Sequence, residues 1–308
     1  MDSNADRLEF TRLSLEMHDS LYPNTELPSS LKRILLSGGG DTKKPCFTIA
    51  SRDNDIFIVV RGAAEPYDFV SCLEYDPVAF EGGYVHGGIL KSARTILSQA
   101  QEYIDQCTGT IIIGGNSYGG AISTVLTAIL VLEQKRKNVI GVATAPLPSI
   151  TSDLAIQLEP YLTSIVYQND VVPRLNYQTL GQIASTVFQP GTTPQQAAMF
   201  IQPMIQNILV SSGYMDQNAV QSIIQYIQSI SSLILKSTTT PISQIFQCGG
   251  KIFHITKDQE GHFSTKLVKG PLTTFALNLF MVMAFIGDHS YQAYFEALLS
   301  IDDLPDTA

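Results

Sequence analysis

The β-branched run Thr108 to Ile113 leads straight into Gly114-Gly115-Asn116-Ser117-Tyr118-Gly119-Gly120 and then into an Ala-rich stretch of helical character. No other feature limits the possible folds as strongly. A continuous β-branched run is expected of a strand covered on both faces. Small residues on either side of Ser117 permit a tight strand-to-helix turn, which lifts the serine hydroxyl above a sheet. The plainer alternative is a Gly-rich turn with an incidental serine, and the elements on either side argue against it.

The surrounding pattern extends the argument. Residues 5 to 21 carry Leu8, Leu13, Leu15, Met17 and Leu21 among charges and predict a surface helix packed on the domain. Ser37 to Asp41 predicts a loop, and no Gly-Lys-Ser/Thr follows it at phosphate-loop spacing. Cys46 to Ala50 and Ile56 to Arg61 predict a hairpin feeding a central strand. Helices over 91 to 104 and 121 to 134 alternate with strands over 139 to 143 and 164 to 168, and strands resume over 251 to 256 and 263 to 268. Alternation of this kind calls for an α/β fold with a mainly parallel central sheet flanked by helices. Residues 176 to 245 shift to Gln, Ser, Thr and Ile with helical apolar spacing, for example Met204, Ile205, Ile208 and Leu209. They predict a helical insertion before the last strands.

The 308 residues, 44% of them apolar, suffice for one large domain, with residues 1 to 45 as its N-terminal helix and loop. The formal charge of -9, from 19 basic and 28 acidic residues without a basic block, would repel a phosphate backbone, so nucleic acid is not expected as a partner. Cys46, Cys72, Cys107 and Cys248 are too scattered for a zinc site or a disulfide framework. The polar first residues and the lack of an N-x-[ST] sequon lead to the expectation of a cytosolic protein. Leu272 to Ile286 is apolar, yet shorter than the roughly 20 residues that span a bilayer, and is read as a buried strand followed by a turn of helix.

A serine nucleophile needs a base and an acid to orient it, and on a fold of this kind they follow in the order serine, acid, histidine. His18 and His86 precede Ser117, which leaves His254, His262 and His289. His254 lies inside an apolar run and His262 at a hairpin turn. His289, at a loop near the end of the chain, has the element-end position that reactive groups favour. Among the acids, Asp170 ends a strand, where sites in open α/β sheets assemble. Asp153 sits on a helix start, where an acid has a capping use, and Asp288 adjoins His289 too closely in sequence for their side chains to meet readily.

Four segments, in order, resemble the class 3 lipase family of fungal triacylglycerol and diacylglycerol lipases: Ile58-Val59-Val60-Arg61-Gly62, Gly83-Tyr84-Val85-His86-Gly87-Gly88-Ile89, Gly115-Asn116-Ser117-Tyr118-Gly119-Gly120, and Asn169-Asp170-Val171-Val172-Pro173-Arg174-Leu175. Asp288-His289 with Tyr291 and Tyr294 looks like the family's C-terminal histidine segment. The resemblance implies an α/β-hydrolase fold and a Ser117, Asp170, His289 triad, with His86 confined to a structural turn. It also implies an oxyanion hole in the segment after Arg61-Gly62. Donors there stabilise a developing negative oxygen by about 3 to 4 kcal/mol each, and the backbone N–H groups of Ala63 and Tyr118 are the candidates. The family usually carries Ser or Thr after Arg-Gly and His before the nucleophile, whereas this chain has Ala63 and Asn116.

The expected reaction is serine-dependent hydrolysis of carboxylic esters, acylglycerol lipids first among them, with no cofactor or metal. The segment from Ala64 to Gly83, with Tyr67, Phe69, Val70 and Leu73, is rich in apolar groups for a loop and is read as a candidate lid. The plainer reading is that these residues simply pack beneath the loop. The implied partners are a lipid or ester substrate and, transiently, a membrane or lipid-droplet surface; nothing in the sequence sets the oligomeric state. Two other readings stand beside this one: a lipase-like protein with weak or no catalysis that binds lipid or a partner, and another acyl hydrolase or peptidase on the same fold.

Overall fold

A computed structural model describes residues 3–22, 25–39, 44–176, 189, 191–193, 195–199, 202–203, 245–270 and 287–305. The predicted helical insertion lies largely outside these residues, and the apolar run Leu272 to Ile286 wholly so.

Among the described residues an eight-stranded sheet forms the centre, in the order β1-β2-β3-β6-β7-β8-β9-β10. Its strands are β1 (Lys32–Ser37), β2 (Phe47–Arg52), β3 (Asp55–Val60), β6 (Ile111–Asn116), β7 (Val139–Thr144), β8 (Leu162–Tyr167), β9 (Lys251–Lys257) and β10 (Phe263–Val268). The run from β3 through β6, β7 and β8 to β9 is parallel, and antiparallel partners close both sides. This is the mainly parallel sheet of an α/β-hydrolase fold. A small hairpin, β4 (Pro77–Phe80) with β5 (Gly83–His86), stands apart.

Helices cover both faces. On one lie α3 (Gly87–Gln106) and α4 (Tyr118–Ala128), and on the other α1 (Asn4–Asp19) and α6 (Tyr291–Leu299); the short α2 (Pro66–Leu73) packs on α3, and α5 (Ser152–Gln157) precedes β8. Alternation along a strand assigns residues to the two cores. In β3, Ile58 and Val60 pack towards Ile89, Ile96 and Val125, while Phe57 and Val59 pack towards Phe10, Leu13 and Met17 of α1. The inner strands β6, β7 and β8 are buried along their whole length, as the β-branched runs require.

The structure corrects several expectations. The N-terminal helix packs on the sheet through Leu8, Leu13, Leu15 and Met17 as expected, yet it is more deeply buried than a surface helix, since Arg7, Thr11, Ser14 and His18 are buried as well. Burial on more than one side blurs the amphipathic signal. Edge strand β1 was not expected: it ends at Ser37, the first residue of the predicted loop, which Gly38 and Gly39 continue, and its residues are largely exposed and lack the apolar alternation of a half-buried strand. The helix expected over 121 to 134 starts at Tyr118 and changes to π-helical winding over Ile129–Glu133. Within the stretch read as a loop from Ala64 to Gly83, α2 and β4 are regular elements.

Candidate active site

Ser117 stands between β6 and α4 with φ 57° and ψ -117°. A non-glycine residue holds such a conformation at a cost on the order of 1–3 kcal/mol, and only where its surroundings force it. Two glycines make the turn sterically possible. A Cβ on Gly115 would stand 2.3 Å from the Gly119 carbonyl oxygen, and one on Gly119 would stand 2.2 Å from that of Val60. The Ser117 N–H donates to the Thr144 carbonyl at 2.9 Å. Asn116, where the family usually has His, donates through Nδ2 to Thr144 Oγ1 at 3.1 Å, so its polar side chain ties the turn to β7.

Asp170 follows β8, at the same carboxyl edge of the parallel sheet, where sites of open α/β sheets assemble. Its side chain has no solvent exposure. The Val172 N–H donates to Oδ1 at 2.9 Å and the Tyr294 hydroxyl donates to Oδ2 at 2.6 Å. Arg174 donates to the carbonyls of Asp170 and Gln168, holding the bend between strand and acid. A buried carboxylate is tolerable when surrounded by donors in this way.

His289 closes the 3-10 turn Gly287–His289, ahead of α6, whose N-cap Ser290 accepts from the Ala293 N–H at 3.1 Å. The imidazole bridges the two other groups. Nδ1 lies 2.8 Å from Asp170 Oδ2 and 3.0 Å from Oδ1, and Nε2 lies 2.9 Å from Ser117 Oγ. An Nδ1 facing a carboxylate carries the proton, which leaves Nε2 as the acceptor for the serine O–H.

The other sequence candidates are elsewhere. His254 Nε2 donates to the Gln168 carbonyl at 2.7 Å. His262 is exposed in the turn between β9 and β10 beside Asp258 and Glu260. Asp288 accepts from the Asn169 N–H at 3.0 Å, and burial raises its pKa. Asp153 sits in the first turn of α5. His86 caps α3 and donates to the Cys72 carbonyl, with burial pushing its pKa down to about 4.

Ala63 and Tyr118 lie just beyond the ends of β3 and β6, two neighbouring parallel strands, Tyr118 as the first residue of α4. Neither backbone N–H donates to another group among the described residues. The Tyr118 side chain is turned away into the core, its hydroxyl 2.8 Å from Ser92 Oγ. The loop is pinned on both sides of Ala63. The Gly62 N–H donates to His18 Nε2 at 3.0 Å, and the Ala64 and Glu65 N–H groups donate to buried Asp68 Oδ2 at 3.0 and 3.2 Å. Arg61 in turn pairs with Glu65 at 2.6 Å and Asp68 at 3.6 Å. Tyr67, Phe69, Val70 and Leu73 lie on α2 and are half-buried. Sequence reasoning missed the contacts of His18, Asp68 and Tyr294. The position of Tyr294 three residues after Tyr291, in the segment following His289, was its nearest signal.

Among the described residues no cluster of three or more His, Cys, Asp or Glu is placed to hold a metal ion, and no helix is long and apolar enough to cross a membrane.

Residues 57–180 match the model of the family Lipase (class 3). No curated protein matches the chain. Among solved structures, a two-residue deletion mutant of the Rhizomucor miehei lipase propeptide complex is similar with a TM-score of 0.54 and 16% identity, covering 94% of this chain and 79% of that one. Rhizomucor miehei triacylglyceride lipase gives a TM-score of 0.44 and 20% identity over 56% of this chain and 76% of that one. A lipase from Rhizopus microsporus var. chinensis gives 0.46 and 17% over 56% and 68%. At such identities the likeness concerns the fold. The stretch that carries Ser117, Asp170 and the Arg61–Ala63 loop thus matches the class 3 lipase family model, within an α/β-hydrolase fold.

Proposed function

We propose that the chain hydrolyses carboxylic esters, with acylglycerol lipids as the substrate class, through Ser117, His289 and Asp170. The observation that carries this reading is the unbroken hydrogen-bond chain from Ser117 Oγ through both His289 nitrogens to a buried carboxylate. In the reaction His289 Nε2 takes the serine proton as Oγ bonds to the ester carbonyl carbon, and Asp170 holds the tautomer and faces the imidazolium that forms. The oxygen that becomes negative is received by the backbone N–H groups of Ala63 and Tyr118. Collapse breaks the ester C–O bond, and the proton on Nε2 passes to the departing alkoxide. His289 then deprotonates water, which attacks the acyl-enzyme, releases the acid and restores the serine hydroxyl.

The half-buried Tyr67, Phe69, Val70 and Leu73 of α2 offer apolar surface to an acyl group, and α2 would cover the substrate and meet a lipid surface transiently. Turnover of nitrophenyl esters of increasing acyl length, beside an emulsified acylglycerol, tests both parts. Rates should rise with chain length and on the emulsion. Preference for short soluble esters would remove the lipid substrate from the proposal, and absence of turnover on every ester would remove the hydrolase. Ala63 supplies no hydroxyl to the oxyanion, and this favours a second reading, a weakly active or silent lipase-like protein that binds lipid.

A further inference from the structure

Position 63 carries no hydroxyl to fix the loop that bears it, so something else must fix it. The Gly62 peptide is enclosed: a Cβ there would stand 3.4 Å from the Asn116 carbonyl oxygen, 3.5 Å from His18 Nε2 and 3.7 Å from the Tyr22 hydroxyl. Of these groups, His18 Nε2 accepts the Gly62 N–H, at 3.0 Å. His18 comes from the last turn of α1, at the opposite end of the sequence from the triad histidine, and it is 3% exposed. Its ring stacks on Tyr291, two residues after His289, at 5.7 Å between centroids and 22° between planes, and meets Tyr22 edge-on at 5.3 Å. One imidazole therefore touches both the loop that carries Ala63 and the helix that begins beside His289.

The geometry points to His18 as the positioning residue of the oxyanion loop: by accepting the Gly62 N–H it orients the Gly62–Ala63 segment so that the Ala63 N–H faces the site. The inference rests on the hydrolase reading above. Asp68 performs the matching task on the far side through the Ala64 and Glu65 N–H groups. Together these two side-chain acceptors, each holding backbone N–H groups of the loop, stand in for a hydroxyl at position 63. The role requires a neutral ring, because an imidazolium would present N–H to N–H at Gly62. Burial, reinforced by the charge of Arg61, pushes the His18 pKa down to about 3 and keeps the ring neutral. The burial has a price in hydrogen bonding: Nδ1, which carries the proton in this tautomer, has no partner among the described residues, so the sequence retains a buried polar ring where an aromatic hydrocarbon would satisfy packing.

The test compares His18→Gln, whose Oε1 can accept at the position of Nε2, with His18→Phe, which keeps a ring of similar size without an acceptor. His18→Leu serves as a second acceptor-free variant. Removing a donor from an oxyanion hole costs about 100- to 1000-fold in kcat; loss of its positioning partner should cost about 10- to 100-fold, with KM changed less than about threefold. His18→Gln should recover most of the loss. The Gly62 amide should exchange slowly with solvent in the wild type and in His18→Gln, and at least tenfold faster in His18→Phe. Equal kcat in wild type and His18→Phe overturns the assignment, as does His18→Gln no better than the two acceptor-free variants, or a fast-exchanging Gly62 amide in the wild type. A wild type that turns over no ester would sink the hydrolase reading instead and leave amide exchange to decide this one.

Discussion

Replacing Gly119 by Ala perturbs the site without touching any reacting group. The added Cβ would lie 2.2 Å from the Val60 carbonyl oxygen and 2.7 Å from that of Arg61, where a Cβ essentially never comes within 3.0 Å of another heavy atom. The start of α4 and the end of β3 must therefore part by about 0.8 Å or more, the shortfall of the 2.2 Å contact from 3.0 Å, since both obstacles are backbone and cannot rotate away. Overpacking of this kind costs about 1–3 kcal/mol of stability. The effect on turnover should be larger than that suggests. Val60 leads directly into Arg61, Gly62 and Ala63, while Gly119 follows Tyr118, so the displacement separates the two N–H groups assigned to the oxyanion. A misplacement near 1 Å costs on the order of 100-fold. Gly120→Ala provides the graded comparison, because its Cβ would meet the Thr144 carbonyl oxygen at 2.9 Å and Pro146 at 3.2 Å; a loss of a few-fold is expected. Initial rates on a nitrophenyl ester, with the urea midpoint of each variant measured in parallel, give both quantities. If folded Gly119→Ala keeps kcat/KM within about fivefold of the wild type, or Gly120→Ala loses more than Gly119→Ala, the steric argument fails.

Three further outcomes follow from the same contacts. Tyr294→Phe removes the fully buried hydroxyl that donates to Asp170 and accepts the Tyr167 N–H at 3.0 Å; stability should fall by about 2–4 kcal/mol and kcat by about tenfold with KM little changed, and unaltered denaturation and kinetics would refute it. His289→Ala should abolish nearly all turnover with the fold intact by circular dichroism, whereas His262→Ala, exposed in its turn, should turn over as the wild type does; the reverse pattern would reassign the base. For pH, burial pushes the pKa of His18 down to about 3 and of His86 to about 4, from 6.5. The unfolded chain thus binds two protons that the native state refuses as pH falls below 6.5. The stability that these residues contribute is present above about pH 6.5 and is lost on acidification towards 4 and then 3, with a slope approaching about 3 kcal/mol per pH unit near pH 5. A urea midpoint that stays flat between pH 6.5 and 4.5 contradicts this.

How much of this was legible in the sequence depended on range. The inner strands announced themselves because burial on both faces selects β-branched and apolar residues, as in Ile111-Ile112-Ile113 of β6 and Ile165-Val166 of β8. The Ser117 turn was legible because only small residues fit where Gly119 meets Val60. Chain order and element ends singled out Asp170 and His289, and the structure brings those two to Ser117 while His254 and His262 lie elsewhere. Edge strand β1 was not legible, since two exposed faces impose no apolar alternation. Nor was the burial of α1, whose charged residues read as solvent-facing until Arg7 is seen donating to Thr163 Oγ1 and the Pro160 carbonyl across the fold. His18 was set aside because it precedes the serine, a rule that concerns the base and says nothing about who holds the Gly62 peptide. Contacts between side chain and backbone spanning 44 residues, as between His18 and Gly62, leave no local pattern to read.

The central claim is that Ser117 is a nucleophile activated by His289, and reaction with a fluorophosphonate tests it most directly, because the probe needs no knowledge of the natural substrate. Intact mass should show a single adduct on the wild type, located by peptide mapping at Ser117, with none on Ser117→Ala and a greatly slowed rate on His289→Ala. A folded wild type that stays unmodified, or a Ser117→Ala variant modified equally well, would contradict the account.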